Sequence, residues 1–505
     1  MASSGASPTD TDTDTKINPN EVELVEDAFS TPAKPNGAPA YVRNLAPEDR
    51  KRIETSLRRK VDTRLLPMIV LIYIMNYLDR NNIAAAKLAG LETDLNLTGD
   101  QFQTSVSILF VGYLLMQVPS NLLLNKLGKP SLYLPGCMVV WGLSRRPQLR
   151  AKLMVVYSLV DSFLVLLRQL TFPVACIIFQ LGSLLSGAFS GLITAGITHG
   201  LDGAKGLRAW RWLFIVEGSI TIFIALFAFF ILPDLPRTTS WLSEDEKELA
   251  AWRLEEDIGQ DDWVDSKQQT FLHGAKLAAK DPKAWLLLAT IYGFTSAGTV
   301  TTLFPSVVKG LGRGNIESLL LTTPPYLIAV IAILCNAWHA DASGERYLHI
   351  AGPPVLAFIS FAIAAGTTKF APRYLAMCLM VGANYSGYVV ALSWISNVLP
   401  RPPSKRAAAL AGINALSNVA QIYSPYLYPS SDAPRYAKAM YVNLSMSVVS
   451  IIFATILRFH LVRLNKKLDR GEIVEGVNSR AAPGRSVEEG EGEEVAVDRG
   501  FRFLY

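Results

Sequence analysis

The sequence predicts an all-α polytopic membrane protein, with about twelve transmembrane helices in two six-helix halves. Three observations carry that reading. Half of the 505 residues are apolar and only 18% are charged, against roughly a quarter in ordinary soluble domains. The apolar residues are clumped into runs such as Leu65–Tyr77 and Ile220–Pro233, which are almost free of charge. Runs of this kind recur near the length of roughly 20 residues that a helix needs to cross a hydrocarbon core about 30 Å thick.

The elements follow in chain order. Residues 1–60 form an N-terminal tail. Its part Met1–Asn44 is rich in Ser, Thr, Asp, Pro and Gly and has no apolar h-region, so a disordered cytosolic segment is expected rather than a signal peptide. Arg50, Lys51, Arg52, Arg58, Arg59, Lys60 and Arg64 then precede the first apolar run and hold this end in the cytoplasm. Candidate spans fall at 65–85, 102–124, 131–144, 152–170, 174–197, 210–232, 284–308, 317–339, 348–366, 372–395, 404–428 and 437–460. They make an N-terminal half (61–232) and a C-terminal half (284–460), joined by a polar central loop (233–283) expected in the cytoplasm. In that loop Ser243-Glu244-Asp245-Glu246 fits a capping box, opening a surface helix through about Leu254. Residues 461–505 form a C-terminal tail. It begins with Arg463, Lys466, Lys467 and Arg470 and ends in the acidic run Glu488–Glu494. Two cytoplasmic termini require an even number of spans. The halves also echo each other weakly, in the short Gly-containing turns Asn125–Lys129 and Asp341–Arg346.

Several functions are excluded or lack support. A net charge of +5 is small for this length and gives nucleic-acid binding no footing. Cys137, Cys176, Cys335 and Cys378 each lie in an apolar stretch without CxxC spacing, so they read as small hydrophobes rather than as disulfide partners or metal ligands. No GxxxxGK[ST], HExxH or GxSxG occurs, so neither an ATP-driven pump nor a membrane hydrolase is indicated. The chain reads as a non-enzyme without cofactor or metal, powered by an ion gradient or passive.

Polar residues inside the spans are the candidate site. Asp79 and Arg80 stand in Asn76-Tyr77-Leu78-Asp79-Arg80-Asn81-Asn82, late in the first span. Ionisable groups in a bilayer cost several kcal/mol unless they face a polar cavity. Adjacent helical residues point about 100° apart. One of the two can therefore bind an anion while the other takes up a proton. The alternative is that both mark the helix end at the interface. Asp161 and Arg168, seven residues apart, share a helix face; they are either a functional pair or a sign that 152–170 is not a span. Glu217 follows the interface anchors Trp210-Arg211-Trp212 and its role stays open. Asn384, Trp394, Asn397, Asn418 and Gln421 lie in later spans, where an interhelical hydrogen bond competes with a binding role.

The stretches Asn76–Ile83, Gly90–Leu95, Gln117–Leu122, Trp210–Phe214, Leu232–Pro236 and Pro425–Pro429 with Ala433–Tyr436 resemble the major facilitator superfamily. More narrowly they are similar to its fungal anion:cation symporters, the allantoate, nicotinate and pantothenate permeases. The resemblance implies twelve spans, a central cavity, and proton-coupled uptake of a small carboxylated metabolite across the plasma membrane by a protein that works as a monomer in the lipid bilayer. Asp79 matches a first-helix carboxylate tied to proton coupling, and Arg80 the neighbouring cation that holds the substrate carboxylate. The expected site is Arg80 with Asn76, Asn384, Trp394 and Asn418 for the substrate, and Asp79 for the proton. The chain departs from the family between Trp141 and Gly187, where the Gly-x-x-Glu-Ala-Gly-like run of the fourth helix is missing. A non-transporting receptor or an inactive paralogue is the alternative that this departure leaves open.

Overall fold

The computed structural model describes residues 41–42, 45–127, 129–143, 174–234, 239, 241–258, 271–399, 403–472, 474 and 502–505. Among them every regular element is helical. The N-terminal half comprises α1 (Pro47–Leu88), α2 (Gln101–Leu127), α3 (Pro130–Leu143), α4 (Val174–Gly200) and α5 (Ala209–Ile231). Two helices, α6 (Glu244–Ile258) and α7 (Phe271–Lys280), belong to the central segment. The C-terminal half comprises α8 (Pro282–Gly298), α9 (Asn315–Leu320), α10 (Thr323–Ser343), α11 (Tyr347–Gly366), α12 (Phe370–Val398), α13 (Pro403–Asn418) and α14 (Ala437–Asp469). Eight stretches of the described residues are long and apolar enough to cross a membrane, and α2 and α3 add shorter apolar segments. The expected span 152–170, with Asp161 and Arg168, lies outside the described residues.

Helices dominate because a chain in hydrocarbon must satisfy every backbone N–H and C=O from within. Their side chains then sort by position. Of the apolar window of α12, 72% is buried, against 28% for α5. α12 is accordingly central, packed on α10 and α11, while α5 lines the rim and turns Phe223, Leu226 and Phe230 outward. Outward apolar residues of this kind, with Leu115, Trp338 and Phe459, form a surface suited to lipid rather than water.

Several boundaries differ from expectation for physical reasons. The first helix begins at Pro47, inside the segment read as tail, because Glu48 and Asp49 suit its first turn. The span expected at 404–428 stops at Asn418, whose Nδ2 donates to the Asn414 carbonyl at 2.8 Å; one helical turn (Ala420–Tyr423) and a 3₁₀ segment (Ser424–Leu427) follow, with Pro425 unable to donate to a continued helix. The capping box is confirmed. Ser243 Oγ accepts from the Glu246 N–H at 3.3 Å and Glu246 Oε2 accepts from the Ser243 N–H at 3.1 Å, but the helix runs on to Ile258. Of the two echoing turns, the second is closed by an Arg346–Asp341 ion pair of 2.7 Å with Gly344 at φ 67°.

Three polar anchors fix the assembly. Glu246 accepts from Lys60 Nζ at 2.8 Å and from Ser56 Oγ at 2.9 Å, tying α6 to the start of α1. Burial raises the Glu246 carboxyl, but the bonds from Lys60, the Ser243 N–H and Ser56 outweigh it and hold the group below its usual range. Arg373 is fully buried and spends its guanidinium on the carbonyls of Gly310, Pro434 and Arg435, pinning two loops of the C-terminal half together. The third anchor lies in the segment expected to be a free tail. Phe503 is 1% exposed. Its N–H and C=O are both taken by Asn465, at 3.0 and 2.9 Å; Leu504 donates to Asn397 Oδ1 at 2.9 Å; and Lys283 Nζ sits 5.0 Å from the Phe503 ring centre.

Two outcomes follow. Phe503→Ala leaves a cavity and should lower the stability of the purified protein in detergent by about 3–5 kcal/mol, read as a fall in the midpoint of denaturation. The Glu246 brace is complete above the ordinary carboxylate range and is lost as pH falls through the depressed folded value. Protection of the α6 amides, taken relative to intrinsic exchange at each pH, should therefore hold at neutral pH and fall in acid, and Glu246→Gln should remove that acid response.

Candidate functional site

The extensive contacts between the halves cluster at the end of the bundle away from both termini. Asn315 donates to the Leu88 carbonyl at 3.0 Å, Ser107 to the Ile422 carbonyl at 2.6 Å, and Thr104 meets Tyr426 Oη at 3.0 Å. The tightest approach is α4 against α9 and α10. A methyl group added at Gly187 would stand 2.6–2.9 Å from the Tyr326 ring, and one at Gly191 would stand 2.6 Å from the Leu319 carbonyl. These small residues let the helices touch and seal this end.

Below the seal lies a cavity with about 840 Å³ of space, part of it open solvent. Its walls come from both halves: Tyr77, Arg80 and Asn81 on α1, Gln180 and Ser183 on α4, Thr295 on α8 with Thr301 and Thr302 just beyond it, Asn384, Tyr385 and Tyr388 on α12, Asn418 on α13, and Gln421. Arg80 is the one charged side chain among the described residues that line it. Its guanidinium carbon lies 4.9 Å from the Tyr77 ring centre and 4.6 Å from that of Tyr113. These cation–π contacts restrain the guanidinium at the cavity wall. The far wall is a hydrogen-bonded set: Thr301 Oγ1 meets Tyr385 Oη at 3.1 Å, and Thr302 donates to Gln421 Oε1 at 2.9 Å. The cavity thus combines one cation with neutral hydroxyl and amide groups, an arrangement that can hold a negatively charged group.

The structure brings together some of the residues expected at the site and not others. Arg80, Asn384 and Asn418 line the cavity. Asn384 also donates to the Phe294 carbonyl at 3.0 Å, so part of its amide serves packing. Asp79 is buried next to Arg80 but points away from the cavity walls, as the 100° step between neighbours requires. Asn76, one turn earlier on the Asp79 face, is fully buried and also lies off the walls. Trp394 is not among the residues that line the cavity. It is fully buried near the terminal end of α12 and donates Nε1–H to the Leu504 carbonyl at 2.7 Å, so it serves the C-terminal anchor. Asn397, one turn along, does the same. Tyr77, Tyr385, Tyr388, Thr301 and Thr302 were missed, because a lone Tyr or Thr in a span gives no sign of which face it takes. The usable signal was the spacing of polar residues at i and i+3 or i+4 within apolar runs, as in Asn384 and Tyr388 or Gln180 and Ser183.

Comparison with known proteins agrees with this architecture. The sequence pattern described as Major Facilitator Superfamily matches residues 172–425. An uncharacterised transporter of Schizosaccharomyces pombe is 30% identical, the alignment covering 82% of this chain and 88% of that one. MFS transporter prlL of a fungal species (strain NRRL 50135) is 29% identical over 81% and 87%. A putative tartrate transporter of Agrobacterium vitis is 28% identical over 80% and 95%. Among solved structures, a bacterial homologue of the human lysosomal transporter Spinster in an inward-facing, unoccupied conformation superposes with a TM-score of 0.58 at 14% identity, covering 82% of this chain and 97% of that one. The proton:xylose symporter XylE does so at 0.57 and 17%, covering 78% and 96%.

The α4–α10 seal is open to test. Gly191→Val overpacks it at a cost of about 1–3 kcal/mol, which should shift the equilibrium between sealed and parted arrangements at least several-fold away from the sealed one. Cross-linking of a Thr104→Cys, Tyr426→Cys pair reads that population; an undiminished yield would show that the glycine contact does not hold the seal.

Proposed function

Because the chain belongs to the major facilitator superfamily and is a multi-pass membrane transporter, we propose that it carries a small organic anion together with protons by alternating access. Arg80 carries the reading: a guanidinium in cation–π contact with Tyr77 and Tyr113 at the wall of a cavity shared by the halves. In this proposal Arg80 takes the substrate carboxylate in a bidentate pair, and Asn384, Asn418 and the Thr302–Gln421 pair hold the rest of the molecule. Asp79, buried beside it, takes up the coupling proton. Loading the proton offsets the cost of a negative charge in a low-dielectric site and so favours the form that crosses. The relative described as a putative tartrate transporter supports the anion class. The basic residues that flank α1 and follow α14 support cytoplasmic termini, which would make the sealed end extracellular and this conformation inward-facing. Plasma-membrane location and function as a monomer belong to the same proposal.

Rocking of the halves would exchange the seal at α4–α10 for one at the terminal end. The substrate would then meet water on one side at a time.

The test is uptake of labelled tartrate and nicotinate into proteoliposomes with and without an inward proton gradient. Accumulation should follow the gradient. Arg80→Ala removes one partner of a buried charge pair, worth about 3–5 kcal/mol, and should cut uptake more than a hundredfold. Asp79→Asn should retain exchange of substrate but lose the response to the gradient. Uptake indifferent to both substitutions would sink these roles, and binding without accumulation would favour a receptor.

A further inference from the structure

A second carboxyl lies within the N-terminal half, apart from the cavity walls. Glu217 is on α5, about 12 Å along the helix from its start, and is 2% exposed. Its Oε1 accepts from Asn82 Nδ2. Asn82 is fully buried, and its Oδ1 accepts from Ser190 Oγ of α4 at 2.5 Å. Three helices therefore meet in one polar chain. Ser190 orients it: its hydroxyl hydrogen goes to the Asn82 carbonyl, so the Asn82 N–H must face Glu217. Asn82 lies three residues from Asp79, about 4.5 Å along the same face of α1.

We propose that Glu217 is a second proton-binding site, coupled through Asn82 to Asp79. This rests on the transporter reading above. Two opposing effects act on the carboxyl. Burial in a low-dielectric interior favours the neutral acid, while a fixed amide donor favours the carboxylate. A group held between such effects changes charge at modest cost. Among the described residues, the neighbouring helices bring these charged and titratable groups. α1 brings Asp79 and Arg80 toward the terminal end and Lys87 toward the sealed end, where Lys87 is paired with Glu92 at 3.0 Å. α3 brings Tyr133 and Cys137, and α4 has no ionisable group between Gln180 and Thr198. On α5 itself Arg211 is engaged by Asp94 at 2.9 Å.

The site is also placed to sense the seal. Ser190 is adjacent to Gly191 and three residues from Gly187, the two glycines that touch α9–α10 of the other half. Parting of the halves there exposes the α4 face next to Ser190 to water. The bond that orients Asn82 then competes with solvent, and Glu217 gains a path for its proton. When the halves close, the proton stays.

The experiment is an infrared pH titration of the purified full-length chain in lipid, from about pH 5 to about pH 9, which reads the protonated-carboxyl band without substrate. The expected result is a titrating band that disappears in Glu217→Gln and moves in midpoint in Asp79→Asn. Ser190→Ala, which spares the carboxyl, should shift that midpoint by about one pH unit and keeps the test available if Glu217→Gln does not fold. A titrating band unchanged in Glu217→Gln and Ser190→Ala overturns the proposal. So does a Glu217 band that stays protonated throughout, which would make the residue a neutral structural acid. Because no substrate is present, a failure here and a failure of the uptake assay are separate results.

Discussion

Hydrocarbon does not hydrogen-bond, and nearly every feature of this structure answers that fact. A polar atom within a span must find a partner in the protein or face a wet cavity. The backbone is helical for this reason. Arg373 is tolerated at zero exposure because three carbonyls converge on it. The same rule sorts the charges of the first helix. Arg80 reaches the cavity, in contact with Tyr77 and Tyr113, while Asp79 turns into the half and joins the buried face of Asn76 and Asn82.

The cavity exists because the two halves touch closely at one end and part toward the other. Close contact depends on the absence of side chains at Gly187 and Gly191. Hydrogen bonds such as Asn315 to Leu88 and Ser107 to Ile422 reinforce the seal. Within each half the packing is more extensive, with α11 and α10 on α12 and α4 on α1.

The two ends of the molecule are built differently. At the terminal end, charged and backbone groups hold accessory segments: Glu246 ties α6 to α1, and Asn465, Asn397 and Trp394 hold the last residues of the chain. Each of these anchors lies within one half. They can therefore persist while the halves move relative to each other.

The sequence by itself determined the membrane class, the helical fold and the two-half plan, because these follow from the length and spacing of apolar runs and from basic flanks. It also singled out Arg80 and Asp79, since a charge in a span is conspicuous. It left Glu217 open and placed Trp394 in the site, for one reason. A polar or aromatic residue in a span has several faces to choose from, and periodicity within one helix does not say which neighbour that face meets. Only the tertiary structure decided that Trp394 meets the C-terminal segment, that Asn384 and Asn418 meet the cavity, and that Glu217 meets Asn82. Those partners come from segments over a hundred residues apart in the chain, and no local pattern records them.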